Sequence, residues 1–134
     1  MERKQLMKMF NKQARIGVLA TSNKNGEVNT AVFGSPRMID EGTVIMAIGD
    51  NRTFGYLQEN PKASFIVVEP GADPAHWGGA RLYLEVDSLE RYGELLDSFR
   101  EQIRKTAGDQ SANAIKAAVR FKITDVRPLI APGP

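Results

Sequence analysis

The segment from Val28 to Pro61 constrains the fold most, because it joins two strand-like runs to a turn and a short helix. Residues 44–48 are an apolar, β-favouring run, and Gly49-Asp50-Asn51 ends it. Arg52-Thr53 then opens a helical pattern that Asn60-Pro61 closes. The first N–H groups of a helix lack partners within it and carry partial positive charge. An arginine and a hydroxyl at this place therefore predict an anion site.

The start of this helix also has a simpler interpretation. Asn51 or Thr53 caps the helix, and Arg52 is a solvated surface charge. Capping residues are common at helix starts, so the local pattern alone leaves both interpretations open.

Six runs predict strands, with short turn signals between them. They are residues 16–21, 27–35, 43–48, 63–68, 81–86 and 120–126. Asn23-Lys24-Asn25-Gly26 predicts a hairpin between the first two, and Asp40-Glu41-Gly42 predicts a turn into the third. The run 63–68 is continuously apolar, which is typical of a strand buried on both faces.

Helical spacing marks three further segments. Leu6, Met9, Phe10 and residues 13–14 predict an opening amphipathic helix. Residues 89–107 predict a long helix, and residues 112–119 predict a shorter one that begins at Asp109 or Ser111. Strands at short intervals with helices around them favour an α+β fold built on an antiparallel barrel or sandwich. The tail, residues 131–134, is expected to be loose.

Composition bounds the function classes. A chain of 134 residues with 42% hydrophobic and 25% charged residues is typical of one soluble domain, residues 1–134. A net charge of +2 gives no reason to expect a nucleic-acid partner. The absence of cysteine excludes disulfides and thiolate chemistry. No apolar run is long enough to span a bilayer and the N-terminus lacks an apolar signal core, so we expect a cytoplasmic protein without a membrane partner.

The order of these elements resembles the flavin-binding split-barrel family related to pyridoxamine 5′-phosphate oxidase. The resemblance rests on the second strand with Asn29-Thr30, the third strand ending in Gly49-Asp50, and Arg52-Thr53 before the short helix. It covers residues 6–129. It implies an antiparallel six-stranded split β-barrel with peripheral helices, FMN as the cofactor, and a homodimer with the flavin site at the subunit interface.

The resemblance also implies which residues contact the cofactor. Arg52 and Thr53 would contact its phosphate, the second strand would contact its ring or ribityl chain, and Trp77 and Arg81 would reach it from the partner subunit. The full set is Asn29, Thr30, Val32, Phe33, Ala47, Ile48, Gly49, Asp50, Arg52, Thr53, Trp77 and Arg81. Two alternatives stay open: Asn29 completes the hairpin turn, and Trp77 plugs the barrel end or forms a dimer contact.

No side chain is predicted to be a catalytic residue or a metal ligand. The pattern contains no Ser–His–Asp arrangement, Walker loop or metal-ligand spacing. His76 is the only histidine. It is either an exposed loop residue or, in a less favoured interpretation, a catalytic residue or a haem ligand.

The expected function is that of a flavin-dependent oxidoreductase between a nicotinamide donor and a small acceptor. Family members that oxidise pyridoxamine phosphate are longer and carry additional C-terminal basic residues, whereas five residues follow Leu129 here, so that reaction is not expected. The alternatives are a non-enzymatic FMN storage or electron-carrier protein, a deazaflavin- or haem-binding member of the same fold, and an interaction domain that binds no cofactor.

Overall fold

The computed structural model describes residues 1–12 and 14–130. These residues form a seven-stranded antiparallel sheet, four α-helices and one short 3-10 helix. In chain order they are α1 (Arg3–Phe10), β1 (Ile16–Ser22), β2 (Val28–Val32), β3 (Arg37–Asp40), β4 (Thr43–Gly49), α2 (Arg52–Glu59), β5 (Lys62–Glu69), the 3-10 helix (Pro74–His76), β6 (Gly78–Glu90), α3 (Glu94–Ala107), α4 (Asp109–Ala114) and β7 (Ile115–Pro128).

The sheet curls into a barrel that is open between its two end strands. The spatial order is β2-β1-β5-β6-β7-β4-β3. Phe33 N donates to the carbonyl of Gly17 in β1 at 3.0 Å, and Ser35 Oγ donates to the carbonyl of Ala47 in β4 at 3.1 Å. Two residue steps span only about 7 Å. The second and sixth strands of the order therefore lie close together across the opening.

The barrel interior is filled by apolar side chains from the strands and α1. Phe10, Phe65 and Phe121 are among the largest fully buried side chains, and the rings of Phe10 and Phe65 lie 5.3 Å apart. A second cluster joins Ala47 of β4 to Phe99 of α3. Because Ala47 points away from the interior, α3 covers the opposite face of β4 and β7.

All six predicted strands are present, but the six-strand count is wrong because β3 is a seventh. This strand has four residues and buries only Met38. It lies between Pro36 and the turn at residues 40–42, so its alternation is too short to stand out from its flanking turn signals. The predicted hairpin between β1 and β2 is confirmed.

The predicted bounds of the last four elements differ from the structure. β6 continues to Glu90, where Leu89 pairs with Val119 of β7, so α3 begins at Glu94 and not at residue 89. The expected helix over residues 112–119 ends at Ala114, because residues 115–119 belong to β7. In both places the apolar residues fit the period of a helix as well as that of a strand. The long pairing of β6 with β7 makes them part of a strand.

The other predictions are mixed. α2 has the predicted bounds. α1 ends at Phe10, so Ala14 lies outside the helix; Gln13 and residues 131–134 lie outside the described residues. β5 is not buried on both faces in the single chain, because Ile66 is 37% exposed.

Within residues 1–12 and 14–130, no helix is both long and apolar enough to cross a membrane.

Candidate functional site

The start of α2 lies at the open side of the barrel, against β1 and β2. Asn51 caps it: Oδ1 accepts from Phe54 N at 2.9 Å, and the Asn51 carbonyl accepts from Gly55 N at 3.2 Å. The N–H groups of Arg52 and Thr53 precede these and have no acceptor within the helix. The side chain of Arg52 is exposed at the same end. The capping interpretation is thus confirmed for Asn51, and it leaves two N–H groups and a guanidinium at the helix start.

A hydrogen bond joins β2 to this helix start. Asn29 Nδ2 donates to Thr53 Oγ1 at 3.2 Å, and Thr53 is only 2% exposed. Because the Thr53 oxygen accepts here, its own hydroxyl proton remains for another acceptor. Asn29 does not complete the hairpin turn; Asn23 does so, through a side-chain oxygen that accepts two backbone N–H groups.

Thr21 is a polar residue of this region that sequence reasoning missed. Its Oγ1 is buried and has no hydrogen-bond partner among the described residues. The β1–β2 register places it directly opposite Asn29, on the same face of the sheet. The alternation of β1 could have shown that Thr21 points to the interior. That Asn29 is its neighbour depends on the register between β1 and β2, which the sequence does not give. A buried hydroxyl without a partner costs about 1–3 kcal/mol, so this position favours a further acceptor or donor.

The predicted site residues of β2 divide between two faces. Asn29 points to the interior face, whereas Thr30 and Val32 point to the outer face, where Val32 is 74% exposed. Phe33 is half-buried and packs against the main core. Because β2 is an end strand of the described sheet, every second residue directs its backbone N–H and C=O away from β1. A flat ligand along this edge would meet side chains from both faces.

The predicted contacts at the end of β4 are largely enclosed. Ala47 and Ile48 are 4% and 1% exposed. The N–H and C=O of Ala47 both bond the Ser35 hydroxyl, at 3.2 and 3.1 Å. A Cβ added at Gly49 would lie 3.1 Å from the carbonyl oxygen at the end of α4, so this glycine serves close packing of backbone. Of the four residues predicted here, only Asp50 is exposed beside the helix start.

Trp77 and Arg81 are not brought to this place within one chain. Strand pairing puts Arg81 in a row with Ile66 and Val32 on the outer face, three strands away from β2. Three strand spacings are about 14 Å. Arg81 Nε donates to the carbonyl of Pro128 at 2.8 Å. Trp77 is 42% exposed and lines a separate cleft of about 420 Å³ with residues 126–130.

His76 is exposed, as its loop position predicts, but it has a partner that the sequence did not reveal. Its Nδ1 lies 2.8 Å from Asp73 Oδ1, and the imidazole is 71% exposed. In the described part of the chain, no three His, Asp or Glu side chains are grouped so that they could hold a metal ion.

Several solved structures share this fold. An FMN-binding protein from Syntrophomonas wolfei subsp. wolfei is 27% identical with a TM-score of 0.79, over 98% of this chain and 90% of that one. HutZ, the heme storage protein from Vibrio cholerae, is 16% identical with a TM-score of 0.68, over 93% and 92%. An F420 reductase is 12% identical with a TM-score of 0.66, over 89% and 93%. At such low identity, the last two show the fold alone.

No protein of curated function matches the chain significantly. The sequence model of the family described as pyridoxamine 5′-phosphate oxidase matches residues 4–129, nearly the whole chain. The resemblance inferred from the strand order and from Arg52-Thr53 is thereby confirmed. This chain belongs to the pyridoxamine 5′-phosphate oxidase family.

Proposed function

We propose that the protein binds FMN at the open side of the barrel and acts as an oxidoreductase between a nicotinamide donor and a small acceptor. The observation that carries the binding is the start of α2. There the free N–H groups of Arg52 and Thr53 and the Arg52 guanidinium lie beside the Asn29–Thr53 hydrogen bond, next to the unpaired edge of β2.

The residues present at this place fit the chemistry of FMN. A phosphate would accept from the two backbone N–H groups and from Arg52, and such charge-assisted hydrogen bonds are about twice as strong as neutral ones. The Thr53 hydroxyl keeps a proton to donate, and nearby Thr21 offers a buried hydroxyl that has no partner among the described residues. The edge of β2 supplies backbone donors and acceptors for the polar edge of a flavin ring.

Bound FMN would supply the redox chemistry itself. The residues of this chain would bind and orient it. Arg52 would provide charge at the phosphate. The bond from Asn29 to Thr53 joins β2 to α2, and it would keep the strand that meets the ring and the helix that meets the phosphate in a fixed relation. No side chain of the site is required to transfer a proton.

A homodimer would complete this site. Five large apolar residues of the outer sheet face are between 37% and 80% exposed: Ile16, Val28, Val32, Ile66 and Tyr83. The strand register places them together on one face with Arg81. Groups of exposed apolar residues on one face often mark a protein–protein contact. A second copy that covered this face would bury it, and its Arg81 and Trp77 would then be the residues that reach the β2 edge from the partner subunit, as the family resemblance implies.

The visible spectrum of the purified protein tests the cofactor. Bound oxidised FMN is expected, whereas a deazaflavin or haem spectrum would contradict the proposal. His76, whose Nδ1 lies 2.8 Å from Asp73 Oδ1, is the residue that a haem iron would use in that alternative. Anaerobic mixing with NADH or NADPH tests the activity. Bleaching of the flavin supports the oxidoreductase, and a flavin that accepts electrons only from dithionite supports storage or electron carriage. Formation of pyridoxal phosphate from pyridoxamine phosphate under oxygen would show a reaction that we do not expect.

Sedimentation at several protein concentrations, with and without FMN, tests the dimer. A ligand that binds only the dimer must stabilise it, so FMN should shift the association to lower protein concentration. A monomer that binds FMN at full affinity would contradict a shared site.

A further inference from the structure

A basic cleft lies beside the β2–β3 connection, and none of the residues proposed for FMN lines it. It has a volume of about 320 Å³ and lies between the end of α1, the β2–β3 connection and α3. Lys12, Arg15 and Arg37 line one side of it. Lys12 Nζ pairs with Glu69 Oε2 at 3.0 Å. Among the described residues, no carboxylate forms an ion pair with Arg15 or Arg37.

Arg15 is held in place by contacts that do not neutralise its charge. Its Nε donates to the carbonyl of Phe10 and its Nη2 donates to the carbonyl of Pro36. The guanidinium carbon lies 5.2 Å from the ring centre of Phe10 and 5.9 Å from that of Phe65. Burial, and after it the charge of Arg37, lower the pKa of the Arg15 guanidinium. Arginine nevertheless stays protonated in proteins, and three of its five N–H donors remain unused by these two bonds.

The cleft is also lined by a face of α3 that is partly apolar. Phe99, Gln102, Ile103 and Thr106 line it, and their spacing places them on one side of the helix. Phe99 is 8% exposed and packs with Ile103 in the second core cluster. Gln102 and Thr106 are exposed, and Thr106 Oγ1 donates to the Gln102 carbonyl at 3.1 Å. The cleft therefore offers apolar surface and an amide in addition to two arginines.

We propose that this cleft binds a small anionic molecule with an apolar body. Its carboxylate or phosphate group would lie against Arg15 and Arg37, and its body would lie against Phe99 and Ile103. A guanidinium that is already fixed by the fold loses little conformational entropy when it binds an anion. None of the cleft residues belongs to the start of α2, so the proposal does not depend on FMN.

Calorimetric titration of the full chain tests the proposal with phenyl phosphate, benzoate, inorganic phosphate and the neutral benzyl alcohol. Phenyl phosphate or benzoate should bind at least about 10-fold more tightly than benzyl alcohol, which lacks the charge. Inorganic phosphate should bind more weakly than phenyl phosphate, since it lacks the apolar body. The tighter of phenyl phosphate and benzoate identifies the anionic group. Equal binding of benzyl alcohol, or no binding of any probe, would overturn the proposal.

Two exposed variants locate the binding without disturbing the core. Arg37→Gln removes a charge and Gln102→Glu adds an opposing one, and each should weaken the anionic probes by about 10-fold or more. Lys122→Gln, an exposed charge loss on β7, is the matched control and should change nothing. The titrations are made with protein saturated with FMN, so that the start of α2 is occupied. Phenyl phosphate that binds only in the absence of FMN, and equally well in Arg37→Gln, would assign the anion to α2 and refute the cleft.

Discussion

The start of α2 and the basic cleft lined by Arg15 and Arg37, here called the Arg15–Arg37 cleft, both present arginine to solvent. They are built in different ways. The α2 site is made by the consecutive residues 51–53 and holds an exposed Arg52. The cleft joins segments around residues 12–15, 34–37 and 99–106, and its Arg15 donates to two backbone carbonyls. Arg52 is therefore free to serve a ligand alone, whereas Arg15 serves the fold as well. Only the first arrangement leaves a local signature in the sequence.

The largest expected effect is a difference between Arg15 and Arg52 in how much each stabilises the fold. Arg15→Ala removes two hydrogen bonds from a charged donor and its contacts with the rings of Phe10 and Phe65. We expect the free energy of unfolding of the apoprotein to fall by about 2–4 kcal/mol. Urea unfolding at one fixed protein concentration measures it.

Arg52→Ala is the matched substitution for this test. The Arg52 side chain is exposed, so the free energy of unfolding of the variant should stay within about 0.5 kcal/mol of that of the parent protein. Equal destabilisation by both substitutions would mean that the two arginines do not differ in the way described.

The next effect concerns FMN affinity, for which we expect Arg52 and not the cleft arginines to matter. Arg52→Ala should weaken FMN by roughly 10- to 100-fold, equivalent to about 1.5–3 kcal/mol, since it removes a charge-assisted contact with the phosphate. Riboflavin, which lacks the phosphate, should bind almost as before. Fluorescence titration of the apoprotein measures both ligands.

Equal losses for FMN and riboflavin would show that Arg52 supports the site's structure and not the phosphate. Arg37→Gln is the comparison variant from the cleft, and its FMN affinity should be unchanged.

Elements with strong local signals were predicted from the sequence, and elements decided by distant pairing were not. The cap, turn and apolar period of α2 lie within ten residues, so its bounds were correct. Leu89 and residues 115–119 fit a helical period but pair across β6 and β7. Likewise β3 is defined by its pairing with β4, since its own four residues carry little alternation. Long-range hydrogen bonding here overrode local preference.

The candidate site divides in the same manner. Arg52, Thr53 and Asn29 were predicted as site residues from the sequence, but the Asn29–Thr53 bond joins residues 24 positions apart and could be found only from the fold. The enclosure of Ala47 depends on Ser35, from the connection that crosses the barrel opening. Thr21 and the whole Arg15–Arg37 cleft depend on strand register and on the placement of α3. No local pattern contains that information.

A smaller effect tests whether Asn51, the cap of α2, contributes both to stability and to FMN binding. Asn51→Ala removes the acceptor of the Phe54 N–H and should lower the free energy of unfolding by about 1 kcal/mol. It should also weaken FMN by a few fold, because it loosens the N–H groups at the helix start. Asp50→Ala, an exposed neighbour, is the stability control and should stay within about 0.5 kcal/mol. Loss of stability without any loss of FMN affinity would separate the cap from the site.

The smallest effect concerns the β3–β4 turn, which fixes the strand that carries Arg37. The Asp40 carboxylate accepts from Gly42 N at 2.9 Å, and this bond, followed by one from the Thr43 side chain, holds the Asp40 pKa below its ordinary value of 3.8. A carboxyl whose pKa is lowered on folding adds stability above the unfolded pKa and loses it as pH falls through the folded one. The stability difference between the parent protein and Asp40→Asn should therefore be constant above about pH 5 and shrink as the pH falls below the ordinary value. Urea unfolding across this range measures it, and a difference that persists or grows in acid would show that the Asp40 carboxylate is not its source.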